Sequence, residues 1–311
     1  MTGASVEGKT RARPRVCIAL VNWNLKQVTL ECLESLRGLK YPNFQVVVVD
    51  NGSQDGSPEA IADRFPEAAQ VVYPENLGST AGFNAGFLYA LAAGADYAFL
   101  INNDTILDPD ALDILVDACE NPEVGIASPL IFYAGAPEKI WSAGAMLSRL
   151  TLDLIGNHGR GEKFGKITRR DFLTGCAMLV KREVLEPVGV MDRDFFLYYE
   201  DMDYCFRVRK EGYHLIVAPK ARMWHKVSLS GGGSGSLTET YWMARNVILY
   251  YRKHARGWQW FFIVPWRAGA IIKKSVRLIA MRKWAHLREY WRGLRDGVAA
   301  AASWRRGSSR P

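Results

Sequence analysis

Short apolar runs that stop abruptly at polar side chains dominate the first 120 residues. Val16 to Val21 is continuous and apolar, then meets Asn22-Trp23-Asn24; Phe44 to Asp50 ends in Asn51-Gly52-Ser53; Ala98 to Ile101 ends in Asn102-Asn103-Asp104. Such runs predict buried strands. Residues 26–38 carry apolar positions at Val28, Cys32, Leu33 and Leu36, and predict a helix closing near Gly38. Ser57-Pro58 opens another with proline at a favoured first-turn position. A short strand at 71–73, a helix from the 76–86 stretch to about Ala93, and a helix over 108–120 complete the alternation. Alternating strands and helices imply right-handed crossovers and a mainly parallel sheet of α/β class.

The second half changes character. Strands are expected at 126–132, 139–141 and 172–180 without regular helices between them, and residues 150–170 are expected to form a mobile loop. A turn or short helix at 184–190, a helix at 198–209 and strands at 214–218 and 221–225 follow. Ser228 to Ser236 is a Gly/Ser tract, too flexible for a core and suited to a lid over a ligand.

From Thr238 the chain is helical, and from Gly257 it becomes aromatic and basic. Trp258, Trp260, Phe261, Phe262, Trp266, Trp284 and Trp291 interleave with Arg267, Lys273, Lys274, Arg277, Arg282, Lys283, Arg288, Arg292 and Arg295. That pattern suits helices lying in a membrane interface, or a helical tail packed on the domain. Nucleic acid is disfavoured as partner, because stacking aromatics would then be expected on a sheet or groove.

At 311 residues, 49% of them hydrophobic, the chain can bury a full core. Its net charge of +8 admits an anionic membrane or a phosphorylated substrate. Five scattered cysteines without C-x-x-C spacing argue against a zinc site or a disulfide framework and suit a reducing compartment. Residues 1–14 are polar and basic, read as a disordered leader without an apolar signal region. No stretch reaches the roughly 18 apolar residues of a spanning helix.

In open α/β sheets ligands sit beyond the carboxyl ends of the strands. Asn102, Asn103 and Asp104 stand at such an end. A carboxylate flanked by amides suits Mg²⁺ or Mn²⁺ carrying phosphates, or else the three merely make a turn before an Asp108-Pro109 helix cap. His225 is a candidate second ligand, imidazole slightly favouring Mn²⁺. Glu200-Asp201 precedes an amphipathic helix, where the dipole favours negative charge, whether for catalysis or only as a cap. The chain lacks a P-loop, and no G-x-G-x-x-G follows its first strand, which disfavours a dinucleotide oxidoreductase.

Taken together, Val21-Asn-Trp-Asn24, Asp50-Asn51-Gly-Ser53, Asn76-Leu-Gly78, Gly82-Phe-Asn84-Ala-Gly86, Asn102-Asn103-Asp104, Thr174-Gly-Cys-Ala-Met-Leu179, Glu200-Asp201-Met-Asp203 and Trp224-His225-Lys226 resemble inverting family 2 glycosyltransferases of the GT-A fold. The likeness is strongest to bacterial rhamnosyltransferases of cell-surface polysaccharide assembly and covers residues 15–255. The resemblance implies a domain over 15–256, with a nucleotide-sugar half (15–120) and an acceptor half (121–256), and a basic amphipathic tail over 257–311. It assigns the donor to Asn22, Asn24, Asp50, Asn51, Asn76, Gly78, Asn84, Asn102, Asn103 and Asp104; Lys226 and Arg245 are candidate diphosphate contacts, or else plain surface charge. It makes Asp201 the base, Glu200 an orienting acid, and Trp141, Glu200 and Asp203 acceptor contacts. Asp104 and His225 would hold the metal, although Asn102 stands where the family usually carries Asp. The implied reaction is transfer of a sugar, L-rhamnose from dTDP-rhamnose, to a lipid-linked saccharide at the cytoplasmic face of the membrane. A non-catalytic nucleotide-sugar-binding scaffold is the alternative.

Overall fold

The computed structural model describes residues 13–156, 164–227 and 235–304. The expected leader and lid thus lie almost wholly outside the described residues, as does the middle of the 150–170 segment. Arg13 is pinned at the domain surface by Asp113 and Asp117.

In chain order the elements are β1 (Val16–Asn22), α1 (Lys26–Arg37), β2 (Phe44–Asp50), α2 (Ser57–Arg64), β3 (Ala69–Val72), α3 (Ser79–Ala92), β4 (Tyr97–Asn102), β5 (Thr105–Leu107), α4 (Ala111–Ala118), β6 (Val124–Tyr133) and β7 (Ala136–Ser142). There follow β8 (Met146–Leu147), β9 (Leu154–Ile155), β10 (Thr168–Arg170), β11 (Ala177–Lys181), α5 (Arg182–Val188), α6 (Glu200–Lys210), β12 (His214–His225), α7 (Leu237–His254), α8 (Trp260–Ala280) and α9 (Trp284–Ser303).

The main sheet runs β10-β12-β6-β11-β4-β1-β2-β3, with β5 paired to β12 and β7 to β6. Strands β3, β2, β1 and β4 are parallel, and β11 enters antiparallel between β4 and β6. One sheet therefore crosses both halves of the chain. Both its faces are buried, which is why the strands read as unbroken apolar runs rather than alternating ones. The expected 150–170 loop instead carries β9 and β10 at its ends; strands of two and three residues leave no period to read.

Register sets the site. Asn22 pairs with Asp50 and Val21 with Asn102, so the polar ends of β1, β2 and β4 finish at one edge. Helix α3 lies tight on β1: a Cβ on Gly82 would come within 2.5 Å of Val21, and one on Gly86 within 2.5 Å of Ala19. Those two glycines permit helix–strand contact, and they bring the first turn of α3 to the same edge.

The C-terminal helices divide the expected tail. Helix α9 packs on α7, where Cβ atoms on Gly293 and Gly297 would meet the Tyr241 and Arg245 carbonyl oxygens at 2.4 and 2.5 Å. Helix α8 buries only Ile263 and Leu278. It leaves Phe261, Val264, Ile272, Val276 and Ile279 exposed at spacings that form one outward stripe. Among the described residues no helix is long and apolar enough to cross a membrane.

Candidate active site

At the carboxyl edge Asn22 is fully buried. Its amide donates to Asp50 Oδ2 (2.6 Å) and Ser53 Oγ (3.1 Å), and its oxygen accepts from Thr29 Oγ1 (2.5 Å) and Asn103 Nδ2 (3.0 Å). The Ser53 N–H donates to Asp50 Oδ1 at 2.8 Å, and Asp50 is 0% exposed. Asn22, Asp50 and Asn103 thus form a closed network that ties the ends of three strands to α1, with no atom of Asp50 reaching solvent.

The loop before α3 is similarly self-satisfied. Asn51 donates to Asn76 Oδ1 and the Gly78 carbonyl, both at 3.0 Å, and accepts from Leu77 N. Asn76 also accepts from Gly78 N. Gly78 sits at φ +88, where a Cβ would meet the Phe196 carbonyl oxygen at 2.3 Å, so only glycine fits this junction. Asn84 exchanges two 2.8 Å hydrogen bonds with the Met191 backbone. The polar groups of Asn22, Asp50, Asn51, Asn76, Asn84 and Asn103 thus meet one another or the backbone, as buried polar strand ends must.

What remains open at the edge is smaller. Asn24, left-handed at φ 56, accepts from Gln54 N and is half-buried. Trp23 beside it is 38% exposed. The Asn102 side chain is half-buried and makes no hydrogen bond among the described residues. Among the described residues no hydrogen bond joins the Asn102 or Asn103 side chain to Asp104, whose carboxylate lies against His225. The pairing of Thr105 with His225 in the β5–β12 ladder brings His225 Nε2 to 3.0 Å from Asp104 Oδ1. The alignment is not that of a hydrogen bond, and buried Asp104 Oδ1 has no other partner. Two lone-pair donors this close and unaligned are arranged as ligands of a single cation would be. Among the described residues no third His, Cys, Asp or Glu joins them. Trp141 meets the His225 ring edge-on at 4.3 Å.

Glu200 and Asp201 begin α6 directly after two left-handed residues, Tyr198 (φ 66) and Tyr199 (φ 72). Asp201 Oδ2 accepts from Gly175 N (3.0 Å) and Oδ1 from its neighbour Met202 N (2.8 Å). Gly175 precedes Cys176, whose carbonyl takes the Asn102 N–H at 3.1 Å, so the acidic loop reaches the end of β4 through one short segment. Glu200 is 6% exposed; its Oε1 accepts from Ser79 Oγ (2.7 Å) and its Oε2 has no partner. Burial, then the Asp201 charge, pushes the Glu200 carboxyl up to about 8. Burial also raises Asp201, against the two N–H groups that stabilise its charge. Like charges on adjacent buried side chains oppose full ionisation, and of the two it is Glu200 that the Asp201 charge pushes to keep its proton.

Asp203 is elsewhere in function. Fully buried, it accepts from Arg207 (2.9 Å), Lys253 (2.6 Å) and His254 (2.8 Å), and these hold it well below the usual carboxylate range despite its burial. It locks α6 to α7. Lys226 is paired with Glu31, and Arg245 donates to the Asp194 carbonyl and lies over Trp242. The residue that inspection of the sequence misses is Asn246, fully buried in α7. Its amide donates to the Leu197 and Tyr198 carbonyls at 2.9 Å each, clamping the strained turn before Glu200.

Residues 14–246 match the family model described as glycosyltransferase like family 2. Over 210 residues, 60% of this chain and 68% of the relative, it is 26% identical to the N-acetylglucosaminyl-diphospho-decaprenol L-rhamnosyltransferase of Mycobacterium tuberculosis. It is 24% identical over 242 residues to the dTDP-rhamnosyl transferase RfbF of Shigella flexneri, covering 76% of this chain and 79% of that one. Matched stretches span between 19% and 79% of such relatives' own lengths. The fold is similar to that of a Pyrobaculum calidifontis mannosyltransferase solved with GDP-Man and Mn²⁺, at TM-score 0.55 and 18% identity, covering 96% of this chain and 88% of that chain.

Proposed function

The chain belongs to the glycosyltransferase like family 2, and from that premise we propose that it transfers L-rhamnose from dTDP-rhamnose to a lipid-linked saccharide with inversion at the sugar carbon. The observation that carries the chemical part is the Glu200–Asp201 pair, a neutral acid beside a carboxylate, joined by Gly175-Cys176 to the strand end that presents Asp104. In the proposed step the acceptor hydroxyl oxygen forms a bond to the sugar C1 as the C1–phosphate oxygen bond breaks. The hydroxyl proton passes to Asp201, and the nucleoside diphosphate leaves with the electron pair. Glu200, its Oε2 unpartnered, orients the acceptor, and Trp141 beside His225 offers an apolar face to a sugar ring.

Asp104 and His225 would hold a divalent cation, whose bound charge would stabilise the departing diphosphate. Asn24 and Asn102 are the amides left open for the donor, and Trp23 is exposed where a base could stack on it.

The α8 stripe, bracketed by exposed Lys273, Arg277, Arg282 and Lys283, supports residence on an anionic membrane surface, where a lipid-borne acceptor is met. The test is transfer by purified protein from a set of nucleotide sugars to a lipid-linked saccharide, with Mn²⁺ or Mg²⁺. Product from dTDP-rhamnose with inverted configuration is expected; retention of configuration, or preference for another donor, refutes the corresponding part.

A further inference from the structure

Exposed apolar side chains gather where the β8–β9 turn meets the start of α8. Leu150 in the turn is 46% exposed, and Phe261 in the first turn of α8 is 80% exposed. With Thr151, Trp260, Val264 and Trp266 they line an open apolar groove of about 680 Å³. The hairpin carries two more exposed apolar side chains, Met146 and Ile155, which stand opposite each other across its strands. An uncovered apolar patch of this kind marks an interaction surface.

The turn is tied to the helix by buried polar contacts. Gln259, buried one residue before α8, donates to the Arg149 carbonyl (2.7 Å) and accepts from the Arg256 N–H (2.8 Å). Asp153, at the far end of the turn, accepts from the Trp266 indole and from the Tyr251 hydroxyl (2.7 Å) of α7. Leu150 and Phe261 therefore belong to one fixed face. The hairpin also leads inward: Ala145 bridges to Phe172, and Gly175, three residues further on, donates to Asp201.

Charge decides what covers this face. No Asp or Glu occurs between Glu239 and Glu289. Arg149, beside Leu150, and Arg256, just before α8, are exposed, and among the described residues neither is paired with a carboxylate. Tryptophans and unpaired cations around an apolar patch suit the headgroup region of an anionic bilayer. A second copy of the chain would instead bring like charge against like.

We propose that the β8–β9 turn is a second lipid contact, Leu150 entering an anionic bilayer together with the first turns of α8. The inference rests on the membrane reading above, which needs only the α8 stripe. It adds that the protein docks on two elements, one of them in the acceptor half, and so in one orientation.

The experiment places an environment-sensitive nitrobenzoxadiazole label on Leu150→Cys in the full chain; the five native cysteines are buried. Val72→Cys, at an exposed position on edge strand β3, carries the same label as control. With phosphatidylglycerol vesicles the Leu150 label should shift to the blue and be quenched by nitroxide lipids, while the Val72 label stays in water. Phosphatidylcholine vesicles should bind about tenfold or more weakly. Leu150→Asp, unlabelled, should lower partition into phosphatidylglycerol by about tenfold at unchanged Tm, as loss of a buried leucine requires. Flotation of the protein with the Leu150 label still in water overturns the second contact and leaves anchoring by α8 standing. Absence of flotation with any vesicle sinks the membrane reading itself. A blue shift that grows with protein concentration in the absence of lipid assigns the face to a second copy and overturns the proposal, and equal binding to both lipids overturns its anionic part.

Discussion

Replacing Asn246 with alanine removes the two hydrogen bonds that hold the Leu197 and Tyr198 carbonyls. Leaving two buried acceptors unmet costs about 1–3 kcal/mol each. Tyr198 and Tyr199 are held left-handed at about 1–3 kcal/mol each, and without the clamp that strain favours relaxation of the turn. A net destabilisation of about 2–4 kcal/mol corresponds to a fall in Tm of very roughly 4–12 °C in a domain of this size. The turn sets where Glu200 and Asp201 stand, and a displacement of about 1 Å at reacting groups lowers turnover by about a hundredfold. Melting curves and steady-state kinetics on the same preparation separate the two effects. The expected Asn246→Ala enzyme melts earlier and loses kcat by ten- to a hundredfold, roughly, with donor KM little changed, because Asn246 does not reach the donor edge. Asn246→Asp, which keeps the size and loses the donors, should behave alike. A variant with lowered Tm and full kcat would reduce Asn246 to packing, and one with both unchanged would refute the clamp.

Asp201→Asn should lower transfer by about 10²–10⁴-fold while donor still raises Tm; residual transfer near wild type would remove it as base. Asp104→Ala and His225→Ala should each weaken donor binding in the presence of Mn²⁺ more than in its absence, read by calorimetry; equal loss under both conditions would deny them a metal role. Glu200 has its folded carboxyl raised, so its stabilising protonation is complete below the ordinary value of 4.5 and is lost as pH rises toward about 8. Tm should therefore fall over that window, and Glu200→Gln should flatten the fall; an unchanged slope would refute the assignment of the proton. Ile272→Glu, in the exposed stripe, should release the protein from phosphatidylglycerol vesicles at unchanged Tm, whereas deleting 257–311 should also lower Tm because α9 leaves α7. Flotation of the Ile272→Glu protein with the vesicles would refute anchoring by this face.

The edge of the sheet was legible because a buried strand cannot end in Asn or Asp without a reason, and three runs end that way. The same logic does not say which of these side chains are closed over by neighbours. Asp50 and Asn102 look alike at strand ends, and only the fold decides that Ser53 and Asn22 close over one and leave the other open. Gly82 and Gly86 stand in the sequence as part of a motif, and the fold gives them their reason: they let α3 approach β1. Asn246 carries no local signal, being one polar residue in an amphipathic helix whose partners lie 48 and 49 positions earlier. The cations of Asp203 are likewise supplied by α7, some 50 residues ahead of it.

Those long-range partners have one element in common. Asn246 holds the turn before the acidic pair, Lys253 and His254 fix the helix after it, and the far side of α7 receives the two close-packed glycines of α9. Because the glycine contacts leave almost no gap, α9 cannot shift without moving the α7 backbone at Tyr241 and Arg245, and Arg245 neighbours Asn246. Helix α8 is joined to α9 by a short turn and to Asp153 through Trp266. If Asp201 is the base proposed above, residues whose sequence looks like an appendage would thus help to hold it in place, through α7.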